Sequence, residues 1–114
     1  MDKQTIAIRL PDLELGEAGR AIENLKAQIL DDIPDARVEI RKDDPTNQDF
    51  GATLIAVLGT PTLLVVAHGI ATWMRKRGQS IELEIDGTRT TFRATGPIDD
   101  TAGRIVEALS RRHE

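Results

Sequence analysis

"GATLIAVLGTPTLLVVAHGIATWMRKR", residues 51–77, is the stretch on which the fold turns. From residue 52 to residue 73 it holds no Asp, Glu, Lys or Arg, a length comparable with the roughly 20 residues that cross a bilayer. Trp73 followed by Arg75, Lys76 and Arg77 also has the order of an interfacial anchor with positive charge behind it. Three features favour a buried core. Gly59-Thr60-Pro61 divides the passage: Gly closes one helical piece, Thr suits an N-cap and Pro suits the first helical position. His68 lies near the middle of the second piece, where a polar ring needs a partner that protein supplies and lipid does not. A span would also leave fragments of about fifty and forty residues on opposite sides, each near the lower limit for independent folding. The passage therefore reads as two helical pieces, or one sharply kinked helix, that cover the rest of one domain, residues 1–114. The alternative is a membrane-associated component that uses residues 52–73 as a span or oligomerisation element.

Outward from this passage the signals are local. In "QTIAIRL", Ile6, Ile8 and Leu10 alternate as on one face of a strand, and Pro11 ends the run. Ala18, Ala21, Ile22, Leu25 and Ile29 recur at spacings of three and four, which predicts an amphipathic helix begun at Asp12 or Gly16. After a turn at Pro34-Asp35, "ARVEIRK" alternates again with Val38 and Ile40 inward. The strand, helix and strand permit a parallel crossover, although spacing does not fix direction. "DDPTNQDFG", residues 43–51, reads as a surface loop. Gly78 has the position of a helix C-cap, preceded by three cations that oppose the helix dipole. Ile81, Leu83 and Ile85, then Asp86-Gly87, then Phe92 and Ala94 predict a hairpin. Past Gly96-Pro97, "DDTAGRIVEALSRR" has an acidic start, apolar Ala102, Ile105, Val106 and Leu109, and a basic end, the polarity of a helix. The predicted fold is α+β: a two-layer domain with a four-stranded mixed sheet, in the order β-α-β-(α-α)-β-β-α, its third and fourth strands forming the hairpin.

Of the 114 residues 39% are apolar and 30% charged, a globular balance, and Phe50, Trp73 and Phe92 are the only aromatics. Aliphatic packing must build the core. A net charge of −4 gives no global attraction for nucleic acid or anionic lipid. The absence of cysteine excludes disulfides, thiolate catalysis and cysteine-ligated metals. "MDKQTIAIRL" lacks the pattern of a secretion signal, so the expected location is cytoplasmic, with inner-membrane association as the alternative.

The residue chemistry points away from catalysis. His68 and His113 are the only histidines, too few for a histidine metal site, and a lone His on an apolar helix is more often a core or edge residue than a proton carrier. Ser80 and Ser110 sit at element boundaries, outside any nucleophile pattern. Asp31-Asp32, Asp43-Asp44 and Asp99-Asp100 are adjacent pairs whose side chains diverge, which suits turns and caps better than a catalytic dyad. "GTPTLL" lacks the spaced glycine and lysine of a phosphate loop. The expectation is no enzyme, no cofactor and no metal. Gly69 is placed to let a neighbouring element approach. "WMRKRG" is first a neutralised helix end on which Trp73 packs; Trp73, Arg75, Lys76 and Arg77 are also the candidate partner-binding residues.

Taken together, Gly51, the aliphatic run to Leu58, Gly59, the second run to Ile70, Trp73 with its basic residues, and the paired strands around Asp86-Gly87 make an ordered set. In this order they resemble the effector-associated constant component family of bacterial conflict systems. The likeness covers most of residues 50–112; Thr60-Pro61 departs from the small or glycine-rich residues expected at the join. The resemblance implies a small non-enzymatic adaptor of antiviral or other defence systems. Its implied partners are a variable effector, such as a peptidase, and an NTPase regulator; homo-oligomers are a further option, and the charge balance argues for no nucleic acid.

Overall fold

Ala52–Gly59, the first half of the apolar passage, is a β-strand and not a helical piece. In the computed structural model, which describes residues 3–11, 13, 15–42, 52–59, 62–85, 87–94 and 96–110, the elements are β1 (Lys3–Arg9), α1 (Leu15–Asp32), β2 (Arg37–Lys42), β3 (Ala52–Gly59), α2 (Leu63–Arg77), β4 (Ile81–Ile85), β5 (Thr88–Phe92) and α3 (Ile98–Ser110). The expected pair of helical pieces is thus β3 followed by α2. Along β3, Leu54, Ala56 and Leu58 are buried on one face, while Ile55 and Val57 are half-buried on the other. With both faces apolar, no alternation marks the strand. Gly59 closes this strand. Thr60 and Pro61 lie outside the described residues; Thr62 occupies the N-cap of α2 and its hydroxyl donates to the Gly59 carbonyl at 2.8 Å.

The additional strand changes the sheet. It has five strands in the order β2-β3-β1-β4-β5, and every neighbouring pair is antiparallel, in place of the four-stranded mixed sheet expected from the sequence. β1 and β2 both run antiparallel to β3 and hence parallel to each other, but β3 lies between them, so their crossover is split and makes no parallel ladder. The segment β1-α1-β2-β3-α2-β4, with its strands in the order β2-β3-β1-β4, is a ferredoxin-like arrangement. β5 and α3 extend it at one end.

Register assigns the two faces. Ile6 opposes Ala56, Ile8 opposes Leu54 on one side and Leu83 on the other, and Ile40 opposes Leu54, so all project to the same face. That face is covered by Ala18, Ala21, Ile22, Leu25 and Ile29 of α1, by Val66, Ala67, Ile70, Trp73 and Met74 of α2, and by Ile105 and Leu109 of α3, all in one buried cluster. The periodicities of α1 and α3 are borne out. Gln4, buried in β1, donates through Nε2 to the Leu109 carbonyl at 2.7 Å and so ties the first strand to the last turn of α3.

The helix stop and the hairpin hold, whereas α2 is capped by Thr62 in place of the expected Thr60 and α1 begins at Leu15 in place of Asp12 or Gly16. Gly78 adopts φ 63°, a left-handed conformation that closes α2 with its N–H on the Met74 carbonyl. β4 and β5 form the hairpin, Ile85 opposing Thr88; Gly87 has φ 84°, and Asp86 lies outside the described residues. So do the 43–51 loop, Asp12, and Arg111-Arg112, the expected basic end of α3. The span alternative fails on the same strand-to-helix break: among the described residues no helix is long and apolar enough to cross a membrane.

Gly69 meets its neighbour as expected. A Cβ there would stand 2.5 Å from a carboxylate oxygen of Asp32, at the end of α1. That oxygen, Oδ2, is the tip of an exposed side chain that among the described residues accepts only from Gln28, at 3.2 Å to Oδ2 and 3.3 Å to Oδ1, and can swing aside. Gly69→Ala should therefore leave stability unchanged or raise it by up to about 1 kcal/mol through helix propensity. Thermal denaturation measures this; a clear loss would mean that Asp32 cannot yield.

Candidate interaction surface

Of the four residues singled out at the end of α2, the structure separates one from three. Trp73 is 4% exposed, and its indole N–H donates to Asn24 Oδ1 of α1 at 2.8 Å. It belongs to the seam between the two helices. Arg75, Lys76 and Arg77 are exposed on the last turn. The Arg77 guanidinium carbon lies over the Trp73 ring, 5.4 Å from its centroid, so the face of the buried indole seats an exposed cation. Arg75 donates to the Gly96 carbonyl at 2.6 Å and tethers the segment before α3. Beside Arg77, Leu13, Glu17, Arg20 and Gln79 line a shallow depression of about 330 Å³.

His68 stands on the exposed side of α2 and not within the core, its Nε2 3.8 Å from Asp99 Oδ1 at the start of α3. The contact becomes an ion pair only when the ring is protonated. Leu64 and Val65, one turn earlier, are 67% and 47% exposed. Asp99 and Asp100 occupy the first turn of α3, where carboxylates oppose the helix dipole, and Asp31 and Asp32 end α1. Among the described residues no group of three or more His, Cys, Asp or Glu is placed to hold a metal ion.

Two further surfaces went unread in the sequence. The sheet face away from the helices carries Ala7, Ile55 and Val57 at its centre, with Arg37, Glu39 and Arg41 on β2 and Glu82, Glu84, Arg89 and Thr91 on β4 and β5. The alternating charges of "RVEIRK" were its visible signal. Arg9 reaches Glu84 at 2.8 Å and Arg89 reaches it at 3.5 Å. The Arg9 hydrogen bond holds the Glu84 carboxyl below its ordinary value of 4.5, with partial desolvation opposing and the charges of Arg9 and Arg89 assisting. Because the folded-state pKa is lowered, the stabilisation is full above the unfolded value and disappears as pH falls through the folded one. Between pH 5 and 3, on the order of the carboxylate range, the urea midpoint of the wild type should fall more steeply than that of Glu84→Gln. Identical slopes would show the bridge to be energetically silent.

The second surface is a groove of about 460 Å³ between β5 and α3, lined by Thr90, Phe92, Arg93, Arg104, Glu107 and Ala108 among others. Its sequence signal was the run "TRTT" after the hairpin turn, an exposed strand nearly free of charge.

A de novo designed protein with a ferredoxin fold, solved in solution, aligns over 84% of this chain and 88% of its own at 14% identity and a TM-score of 0.38. The fold assignment rests on the strand order and not on this alignment. No curated protein matches. The model of the family described as Effector Associated Constant Component 1 matches residues 14–110, from just before α1 through the end of α3. That span adds α1 and β2 to the central block whose ordered residues carried the resemblance, and the chain belongs to the Effector Associated Constant Component 1 family of conflict-system components.

Proposed function

We propose that the chain is a non-enzymatic adaptor that couples a regulator or sensor to a variable effector, such as a peptidase, in the cytoplasm of a bacterium equipped with a conflict system. The family match over residues 14–110 carries this reading, because the family is described by its association with effectors. The exposed cations at the end of α2 support a place of contact. Lys76 has no partner among the described residues, and Arg77 has only the Trp73 ring. An adaptor of this kind contributes a surface and leaves chemistry to its partner.

The test is affinity capture of the tagged full chain from its native host, followed by mass spectrometry. Recovery of an effector or a nucleotide-hydrolysing regulator is expected from the wild type. Lys76→Glu with Arg77→Glu should reduce that recovery by about tenfold, or about 1.4 kcal/mol, without loss of helical circular dichroism. Arg75 is spared because its bond to the Gly96 carbonyl is structural. Recovery of neither class of protein would overturn the adaptor. Undiminished recovery by the double variant would move the contact elsewhere.

A further inference from the structure

The two edges of the sheet are unequally protected. Among the described residues each of β2 and β5 has one neighbouring strand, so each presents an outer edge of backbone N–H and C=O groups. β2 carries a charge at every second position, Arg37, Glu39 and Arg41, all exposed, which is the usual guard against strand addition. β5 lacks that guard. Thr88, Thr90 and Thr91 are exposed residues of high strand propensity, no proline interrupts them, and the one charge, Arg89, is drawn back toward β4 by Glu84.

Beside this bare edge runs the groove against α3. Its volume of about 460 Å³ falls within the roughly 300–1,000 Å³ of binding clefts. A segment added along β5 would satisfy the edge groups with its backbone and send alternate side chains into the groove, as in recognition by strand addition. The charge of the groove selects among such segments. Arg93 and Arg104 take part in no hydrogen bond or ion pair among the described residues, whereas Glu107 already has a partner. Two free guanidinium groups suit a carboxylate. Two cations without an exposed aromatic, in a chain of net charge −4, do not suit nucleic acid. A second copy would bring its own Arg93 and Arg104 against the same two cations.

We propose that the groove between β5 and α3 binds an extended peptide segment of the partner protein, added antiparallel to β5 and carrying an acidic side chain held by Arg93 and Arg104. The source of the segment rests on the adaptor reading; the site does not. The probe is a phage-displayed library of random peptides of about eight residues, enough for a typical strand, selected against the full chain. Selected peptides should contain Asp or Glu among strand-forming residues and should slow amide exchange at Thr88–Phe92. Arg93→Glu with Arg104→Glu, at unchanged melting temperature, should weaken them at least tenfold, about 1.4 kcal/mol, and lysine-for-acid versions of the same peptides should recover binding to that variant. Failure to select any peptide, protection elsewhere, or indifference to the charge reversal would overturn the proposal, as would a dimer of the free chain protected at β5. Host capture separates the two readings. If the variant recovers the same proteins as the wild type, the adaptor stands and the groove falls; if peptides bind β5 but no effector or regulator is recovered, the groove stands and the adaptor falls.

Discussion

Trp73→Ala is expected to lower the unfolding free energy by about 3 to 5 kcal/mol, a large part of the roughly 5–15 kcal/mol that stabilises a small domain. The ring is 4% exposed, fills the seam between α1 and α2, and spends its N–H on Asn24. Its removal leaves a cavity, an unpartnered amide oxygen and an unsupported Arg77. Trp73→Phe keeps much of the packing and loses the hydrogen bond, so its cost should be smaller, about 1 to 2 kcal/mol. Chemical denaturation followed by far-ultraviolet circular dichroism measures both, since the variants lack the only tryptophan. A cost below about 1 kcal/mol for the alanine variant would make Trp73 a surface group and return it to the partner contact. As the structure stands, the cations on its rim are the accessible part, and the interface test spares the ring for that reason.

Leu54→Ala should cost about 2 to 5 kcal/mol. Leu54 is fully buried in β3, between Ile8 of β1 and Ile40 of β2, beneath the helices. Trp73 fluorescence through a urea titration reports the loss. Amide exchange supplies an independent reading: the β3 amides should exchange only with global unfolding, because the strand is hydrogen-bonded on both sides. Fast exchange across residues 52–59 would contradict the central position of the strand.

Both predictions turn on the passage from residue 51 to 77, whose two halves were unequally legible. The second half announced itself: Gly78 after three cations is a helix stop written in local chemistry, and α2 ends there at φ 63°. The first half carried no such mark. Leu54, Ile55, Ala56, Val57 and Leu58 are apolar on successive positions, so neither the two-residue nor the three-to-four-residue period shows, and length with β-branching was the only clue. Missing that strand removed one member from the sheet and left strand direction open. The hairpin escaped this error because Asp86-Gly87 joins its strands over a few residues.

The candidate site divides in the same way. The basic end of α2 could be found from sequence, since Arg75, Lys76 and Arg77 are consecutive and precede a cap. That Trp73 faces inward while Arg77 lies over its ring could not, because the partner Asn24 lies on another helix. The β5 groove needed the tertiary structure altogether. "TRTTF" is the second arm of a hairpin in the sequence; its outer edge is bare only because β4 pairs with β1 on its other side, and it has a wall only because α3 returns beside it.

The sequence by itself determined what neighbouring residues decide: the apolar stripes of α1 and α3, the stop at Gly78, the hairpin, the inward positions of β1 and the ordered set that carries the family resemblance. Tertiary structure alone decided that residues 52–59 extend as a strand between β1 and β2, and which sheet edge stays open. Those outcomes depend on pairings such as Ile8 with Leu54, far apart in the chain. Their energy comes from packing one face of the strand beneath the helices while it pairs with a neighbour on each side, a condition that no local spacing records.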